Sequence, residues 1–513
     1  MSLKLKIAVG GILALSMGAA TAETLQDAIQ YTVNENPEIQ SAKSERLAVE
    51  QEISQVKAGY FPTVDIAVGA GWERSFNSST KADGAESKSL GRDEASIQIR
   101  QMIYDGFATA SEVNRQTART NSRAFTVFGQ TEITALNAVE AYINVLRREE
   151  LLALANENLS VHKSTNSQIE SRSKRGVGRR ADAEQSSGRL ALAERNVLSE
   201  IGNLSDAQTS YLRVVGRLPY GLETVSSPGD ALPATFDAAV DGAIANHPIL
   251  KSANSDIDAA IAQHATAKAA FMPRVDLELS ASHNKDIDGI EEVNEDALAM
   301  IRLRYNLFNG GKDSARRKET AQLINQAKNI RDNTYRQAVE SMRLSWIAHQ
   351  TVKSQMAYFE SHKNSSIESN KAYQKQFNIG RRSLLDLLDS ANEMFVAKSA
   401  YANAKYDELF SQFRILASGG ALTNYLSVQL PEETNVLPEV ESWIGFEQRL
   451  RAEPTYAVAA EEAPSTEAVA EAEAQVEATP EAETQVEPVA EEIREPCVGG
   501  VNSAGFQTGC ATE

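Results

Sequence analysis

Two aspartates beside a pair of arginines are the strongest candidates for a chemical role in this 513-residue chain. Asp386 and Asp389 follow Gly380 and Arg382, and their spacing of three places both carboxylates on one face of a helix. Several such carboxylates brought together would repel one another, raise some of their pKa values and attract cations. The alternative is a solvated helix start, at which an aspartate only complements the helix dipole. The residues alone leave both interpretations open.

Residues for catalysis, nucleotide binding or metal binding form no recognisable pattern in the sequence. The six histidines are scattered, without the paired spacing of a metal site. The run from Gly311 to Ser314 resembles the end of a phosphate-binding loop, but Asn306 stands where that loop needs a glycine. Both cysteines lie near the end of the chain, so a catalytic Cys/His pair has no support. We therefore predict a protein that is not an enzyme and that uses no metal or cofactor.

The candidate aspartates belong to the second half of an internal repeat. Such self-similarity at a fixed spacing means that one structural unit is used twice. The predicted units are residues 23–220 and 221–430. A shift of 204 residues places Gly176 on Gly380, Asp182 on Asp386, and Tyr104-Asp105-Gly106 on Phe308-Asn309-Gly310, and a shift of 211 places Tyr60-Phe61-Pro62 on Phe271-Met272-Pro273.

Each unit has the same predicted order of elements. Apolar residues first recur at helical spacing, and then alternate along hairpins at 63–104 and 274–308, which enclose polar loops at about 77–93 and 284–296. Each strand is predicted to have about ten residues, the length that a tilted strand needs to cross a membrane. The alternative of a soluble hairpin is disfavoured because the outer positions stay apolar along the strands. Long proline-free helical tracts follow, each able to reach roughly 100 Å. They turn near 176–182 and 380–389, at Gly176 and Gly380.

The N-terminus has the pattern of a secretory signal peptide, predicted at residues 1–22. Two lysines precede an apolar run from Ile7 to Leu15, and Ala20-Thr21-Ala22 is a small-residue cleavage site. The apolar run is too short to span a bilayer as a helix, which disfavours the alternative of an uncleaved anchor. The mature chain is therefore expected outside the cytoplasm.

Residues 431–513 form an acidic tail rich in alanine, glutamate and proline. The tail holds nineteen glutamates against three arginines, so it carries most of the formal net charge of −19. With few large apolar residues it is predicted to be disordered, and the nearly neutral body offers no basic face for nucleic acid. Cys497 and Cys510 are predicted to form a small disulfide loop, with two free thiols as the alternative.

Four membrane strands per chain predict oligomerisation. They cannot close a barrel alone, because about eight strands is the smallest number observed and an open edge in lipid is forbidden. Two copies would give eight strands and three would give twelve. We favour three, because a larger barrel leaves room for a channel.

The doubled order of helix, hairpin and long helical hairpin resembles the TolC family of outer-membrane export channels over about residues 23–425. The resemblance implies a mainly α fold with a transmembrane β portion. Long antiparallel coiled coils form an α-barrel across the periplasm, and four strands per chain contribute to a 12-stranded trimeric β-barrel in the outer membrane. The helices narrow to a closed tip, where the resemblance places both turn segments.

The same resemblance assigns gate residues at the tip. Asp386 and Asp389 match the family's aspartates that ring the entrance, and Arg382 matches an arginine that bridges to an acidic partner on the neighbouring hairpin, here Asp182. Phe377 stands where the family often has a latching tyrosine. This is a departure, because phenylalanine cannot donate a hydroxyl, so a latch there must act by packing.

The function implied is a passive duct that receives substrate from an inner-membrane ABC or RND-type pump and a periplasmic adaptor protein. The run at 178–185 resembles members that serve type I protein secretion, which is the favoured role. The alternative is multidrug efflux. An alternative of another class is a structural coiled-coil spacer without channel activity.

Overall fold

The structure is a computed structural model that describes residues 22–438. The predicted signal segment at residues 1–21 and the acidic tail from residue 439 onward, with Cys497 and Cys510, lie outside the described residues. Within 22–438, none of the helices is both long and apolar enough to cross a membrane.

The elements follow the same order in both units. Prolines at the first position of α2 and α7 separate these helices from the short helices before them, since a proline cannot continue a helix. The first unit contains α1 (Leu25–Glu35), α2 (Pro37–Lys57), β1 (Thr63–Ser75), α3 (Ser78–Ala82), β2 (Lys88–Tyr104), α4 (Ala108–Lys174) and α5 (Arg180–Val215). The second contains α6 (Phe236–Asn246), α7 (Pro248–Ala269), β3 (Arg274–Lys285), β4 (Val293–Arg304), α8 (Lys312–Asn378), α9 (Leu384–Ser418) and α10 (Leu422–Tyr425).

The long helices reproduce the repeat seen in the sequence. Helices α4 and α8 both have 67 residues, which corresponds to roughly 100 Å each. Their first and last residues, and the first residues of α5 and α9, are 204 positions apart. Helix α4 packs along α5, α7 and α9, and α8 packs along α7 and α9.

The four strands form one antiparallel sheet in the order β1-β2-β3-β4. All three strand pairs are antiparallel, and β1 and β4 are the two edges of the sheet within the described residues. The strands have 12 to 17 residues, more than the ten predicted. Strands β2, β3 and β4 extend into the segments predicted as polar loops, whose mostly polar residues show no alternation that would indicate a strand. The segment after β1 also contains α3, and a capping box between Asn77 and Thr80 caps the start of this helix.

The main hydrophobic core lies where α1 packs against the middle of α4 and the end of α5. Tyr142 and Tyr211 are fully buried there. The Tyr142 hydroxyl donates to the backbone oxygens of Glu23, at 2.6 Å, and Glu223, at 2.9 Å. These bonds fix the backbone just before α1 and the segment between the two units against α4.

The segment after α9 runs back along α4. The buried carboxylate of Glu132 on α4 accepts the backbone N–H groups of Leu422 at 3.1 Å and Thr423 at 3.0 Å, as well as the Thr423 hydroxyl. Further along, the Asn121 side-chain amide exchanges two hydrogen bonds with the backbone of Leu437. The segment therefore lies close to the sheet end of α4 at the point where the described residues end.

Candidate functional site

The two long helices end in the same kind of turn. Gly176 and Gly380 both have φ of +75°, in the left-handed region that glycine adopts at the end of a helix. The backbone N–H groups of Val177 and Arg381 return to the carbonyls of Arg172 and Gln376, which closes each turn. Nothing lies within 4 Å of a Cβ built on either glycine, so the backbone conformation alone requires it. The two turns bring α5 and α9 back beside α4 and α8.

Asp386 caps the start of α9. Its carboxylate accepts the backbone N–H of Ser383 at 3.2 Å, and the Ser383 hydroxyl accepts the N–H of Asp386, which completes a capping box. Hydrogen bonds from the Ser383 side chain and backbone, followed by the charge of Arg382, hold the pKa of Asp386 below its ordinary value. Within one chain, Asp386 therefore stays ionised and acts as a helix cap.

Asp182 occupies the same position of α5 without a matching cap. Arg179 stands where Ser383 stands in the second unit, and its side chain makes no capping bond. Asp182 is half-buried. It forms no ion pair with any residue of the described part of this chain, so its carboxylate is available to a group outside the chain.

Arg382 is held by neighbours on its own hairpin. Its Nε donates to Oε1 of Gln376 at 2.9 Å, and its guanidinium lies 4.5 Å from the centroid of the Tyr373 ring. One terminal nitrogen is 3.8 Å from Asp386. Asp182 on the neighbouring hairpin is not among the contacts of Arg382 within residues 22–438, so the predicted bridge stays a prediction.

Asp389 forms an ion pair that connects the two hairpins close to their turns. The Arg189 guanidinium on α5 donates to its carboxylate at 2.7 Å, with the Arg189 and Asp389 side chains 31% and 54% exposed. Burial and the nearby charge of Arg189 lower the pKa of His162 on α4. The pair neutralises much of the charge that Asp389 would bring to a ring of carboxylates.

Phe377 is part of an apolar cluster that joins both hairpins. Its ring is buried beside Ile169 of α4, and its other neighbours in the cluster come from the first turns of α9. The Arg172 guanidinium covers the ring, 5.4 Å from its centroid. This geometry fits a contact that acts by packing. The cluster consists of Ile169, Phe377, Leu384, Leu387 and Leu388, with Ala183 against it.

Sequence reasoning missed Arg189 and Tyr373. Arg189 is 200 residues from Asp389, and its only sequence signal is an arginine one helical turn after Gln185, on the returning helix. Tyr373 is four residues before Phe377, so an aromatic residue on the same face of α8 could have indicated it. Among residues 22–438, no group of three or more His, Cys, Asp or Glu side chains is arranged to hold a metal ion.

The sheet at the other end has one polar and one apolar face. Large apolar side chains on one face are exposed, with Val68 at 79%, Trp72 at 84% and Ile301 at 69%. A patch of this kind marks a surface that contacts lipid or another protein. The alternate positions carry mostly polar, charged and small residues, with Leu298 and Met300 among the exceptions, and many of the charged ones are paired across strands.

A sheet with an exposed apolar face, joined to helical hairpins roughly 100 Å long, defines an outer-membrane channel protein. The chain belongs to the family described as Outer membrane efflux protein, whose sequence profile matches residues 28–217 and 239–420. This finding confirms the resemblance to the TolC family, the fold class and the outer-membrane location.

Named relatives are similar over most of their length. The chain is 23% identical to the outer membrane efflux protein BepC of Brucella suis, over 83% of this chain and 93% of BepC. It is also 23% identical to the alkaline protease secretion protein AprF of Pseudomonas aeruginosa, over 80% of this chain and 88% of AprF. Efflux and secretion proteins are thus about equally similar to it.

Solved outer-membrane channels have the same fold. The open-state structure of the Neisseria gonorrhoeae MtrE channel superimposes with a TM-score of 0.64 at 16% identity, over 78% of this chain and 89% of MtrE. The likeness extends over most of both chains, so this chain shares the fold of solved outer-membrane channels.

Proposed function

We propose that three copies of this chain form one continuous duct, which conducts cargo from an inner-membrane pump and a periplasmic adaptor protein to the outside. The observation that carries the proposal is the four-stranded sheet, which combines an exposed apolar face with edges at β1 and β4. In lipid these edges need partners, and the edge strands of neighbouring copies can supply them. Twelve strands would enclose an aqueous lumen.

Conductance of the purified protein tests the duct. The expected result is discrete ionic steps in planar bilayers, from a species that runs as a trimer after chemical cross-linking. A stable trimer without conductance would instead support a coiled-coil spacer that has no channel activity.

The cargo we propose is protein delivered by type I secretion. The similarity to AprF, named for alkaline protease secretion, supports this assignment, as does the run at 178–185 in the first turn. Multidrug efflux is the second candidate, favoured by the similarity to BepC. A strain that lacks the gene separates the two. Loss of a large exported protein with unchanged drug sensitivity supports secretion, whereas hypersensitivity with a normal set of secreted proteins supports efflux.

The helical tips are proposed to be the gate of this duct. Asp182 has no ion-pair partner within the described chain, and Arg382 keeps guanidinium N–H groups beyond those bound by Gln376. An Arg382–Asp182 contact between neighbouring copies would hold the tip shut, and Phe377 would add packing within each copy. Asp386 and Asp389 would set the preference for cations.

Two sets of variants test the gate. The Arg382→Ala/Asp182→Ala variant should raise conductance; unchanged conductance would contradict the assignment of the lock. The Asp386→Ala/Asp389→Ala variant should lose cation selectivity and block by multivalent cations. If both properties persist, another group sets the selectivity.

A further inference from the structure

Four arginines surround two buried carboxylates on the polar face of the sheet, at the end next to the helices. Arg302 and Arg304 lie 2.7 Å and 2.5 Å from Glu278, and Arg100 lies 3.7 Å from it. The carboxylate of Asp276 forms ion pairs with the guanidinium groups of Arg304, at 2.7 Å, and Arg274, at 3.1 Å. The cluster spans β2, β3 and β4 and takes no part in the gate described above. We call these six residues the arginine collar.

The collar lies on the face opposite the exposed apolar residues. Across the β2–β3 pair, Arg100 faces Glu278 while Ile99 faces Leu279, so charged and apolar residues alternate between the two faces. If the apolar face contacts lipid, the collar faces the lumen of the barrel. Strand β1 begins, and β2 ends, at this side of the sheet, where the helices join. The collar would therefore surround the point at which cargo passes from the helical duct into the barrel.

The carboxylates are covered, whereas the guanidinium groups remain accessible. The side chains of Asp276 and Glu278 are 0% and 9% exposed, and those of the four arginines are 41% to 54% exposed. Each guanidinium has five N–H donors, and the ion pairs engage at most two nitrogens of each. Free donors therefore remain on the solvent side of the cluster.

The net charge of the collar is positive. Four arginines face two carboxylates, and Asp65, on the same face of β1, makes no ion pair within residues 22–438. Even with Asp65 counted, each chain has one positive charge in excess, so three chains would present at least three. Accessible guanidinium forks with excess positive charge bind carboxylate, phosphate and sulfate groups through charge-assisted hydrogen bonds.

We infer that the arginine collar is an anion-binding site in the lumen of the barrel, which receives the oxyanion groups of passing cargo. The inference rests on the proposed trimeric duct. It concerns the end of the helical duct opposite the tip, where the helices join the barrel. An acidic segment of a cargo chain would then meet a favourable site where the barrel begins.

Block of the channel current by inorganic pyrophosphate tests the collar. The probe is added to the chamber that faces the loops of the sheet, so that it reaches the barrel without crossing the tip. The Arg100→Gln/Arg274→Gln variant is suitable because Glu278 keeps Arg302 and Arg304, and Asp276 keeps Arg304. The variant removes six positive charges from a trimer. At a distance on the order of 10 Å and a Debye length of about 10 Å, we expect the blocking concentration to rise at least about fivefold.

Matched variants separate charge from structure. Arg100→Lys keeps the charge and should retain most of the block. Arg74→Gln removes a charge from the opposite face of β1, where Arg74 is hydrogen-bonded to Ser87, and should leave the block unchanged. A double variant that conducts and is blocked as well as the wild type would overturn the collar alone. A wild-type protein without any current would overturn the duct, and with it the collar.

Discussion

The ion pair between Arg189 and Asp389 connects α5 to α9 in each copy, so the Arg189→Ala variant tests whether this pair helps to keep the tip shut. Both side chains are partly exposed and 2.7 Å apart, and exposed pairs of this kind contribute about 0.2–1 kcal/mol. Three copies would contribute between about 0.6 and about 3 kcal/mol to the closed state. Loss of the pair should raise the ratio of open to closed channels by between about threefold and about a hundredfold.

Single-channel recording measures this ratio directly. A double-mutant cycle with Asp389→Asn isolates the pair, because removal of the second partner should add little once the first is absent. Arg180→Ala is the matched control. Arg180 lies on the same helix, 3.9 Å from Glu184 of that helix, and this pair does not connect the hairpins. Strictly additive effects of Arg189→Ala and Asp389→Asn on open probability would show that the pair has no part in closure.

Three further predictions concern stability, and thermal unfolding of the purified protein measures each of them. Phe377→Ala should destabilise the tip by about 3 kcal/mol, because a buried ring is lost from the cluster between the hairpins. Phe377→Leu should destabilise it by about half as much or less. Equal effects of the two variants would argue against a latch that acts by packing. Gly380→Ala should destabilise the protein by about 1 kcal/mol, because φ at Gly380 is +75°. Gly188 lies inside α5, and a Cβ built there has no atom within 4 Å, so Gly188→Ala should stabilise the protein by about 0.5 kcal/mol. Changes of the same sign in the two variants would refute the argument from backbone conformation. Burial raises the pKa of Glu132, so the charged carboxylate destabilises the fold above that pKa, and this penalty disappears below the ordinary pKa of 4.5. The wild type should therefore gain stability relative to Glu132→Gln as the pH falls from about 7 to about 4. A difference in stability that does not change with pH would contradict this.

The sequence predicts the long elements well because each depends on a local pattern. Proline-free helical tracts are predicted to turn near 176–182 and 380–389, and α4 and α8 end at Lys174 and Asn378. The two turn glycines follow from a local need for positive φ at the end of a helix. Strand lengths were less predictable, because polar residues on both faces carry no alternation that could distinguish a strand from a loop.

The partners of the candidate gate residues were not predictable from local patterns. The pairing of Arg189 with Asp389 depends on how far one hairpin is rotated against the other, and spacing along either helix does not contain that rotation. The capping role of Asp386 is a partial exception, because Ser383 three residues earlier is the signature of a capping box. The bridge between Arg382 and Asp182 stays a prediction, which the contacts within one chain do not test.

The equal lengths of α4 and α8 also restrict how proteins of this shape can change during evolution. Both have 67 residues, and the returning helices α5 and α9 have 36 and 35. One inserted residue would advance a helix by about 1.5 Å and rotate everything beyond it by about 100°. Only insertions of about seven residues keep the seam between helices in register. Such insertions would have to occur in both units, and in both long helices of each hairpin. The distance that such a duct spans between two membranes would therefore change in steps of about 10 Å, through coordinated insertions at several places in one gene.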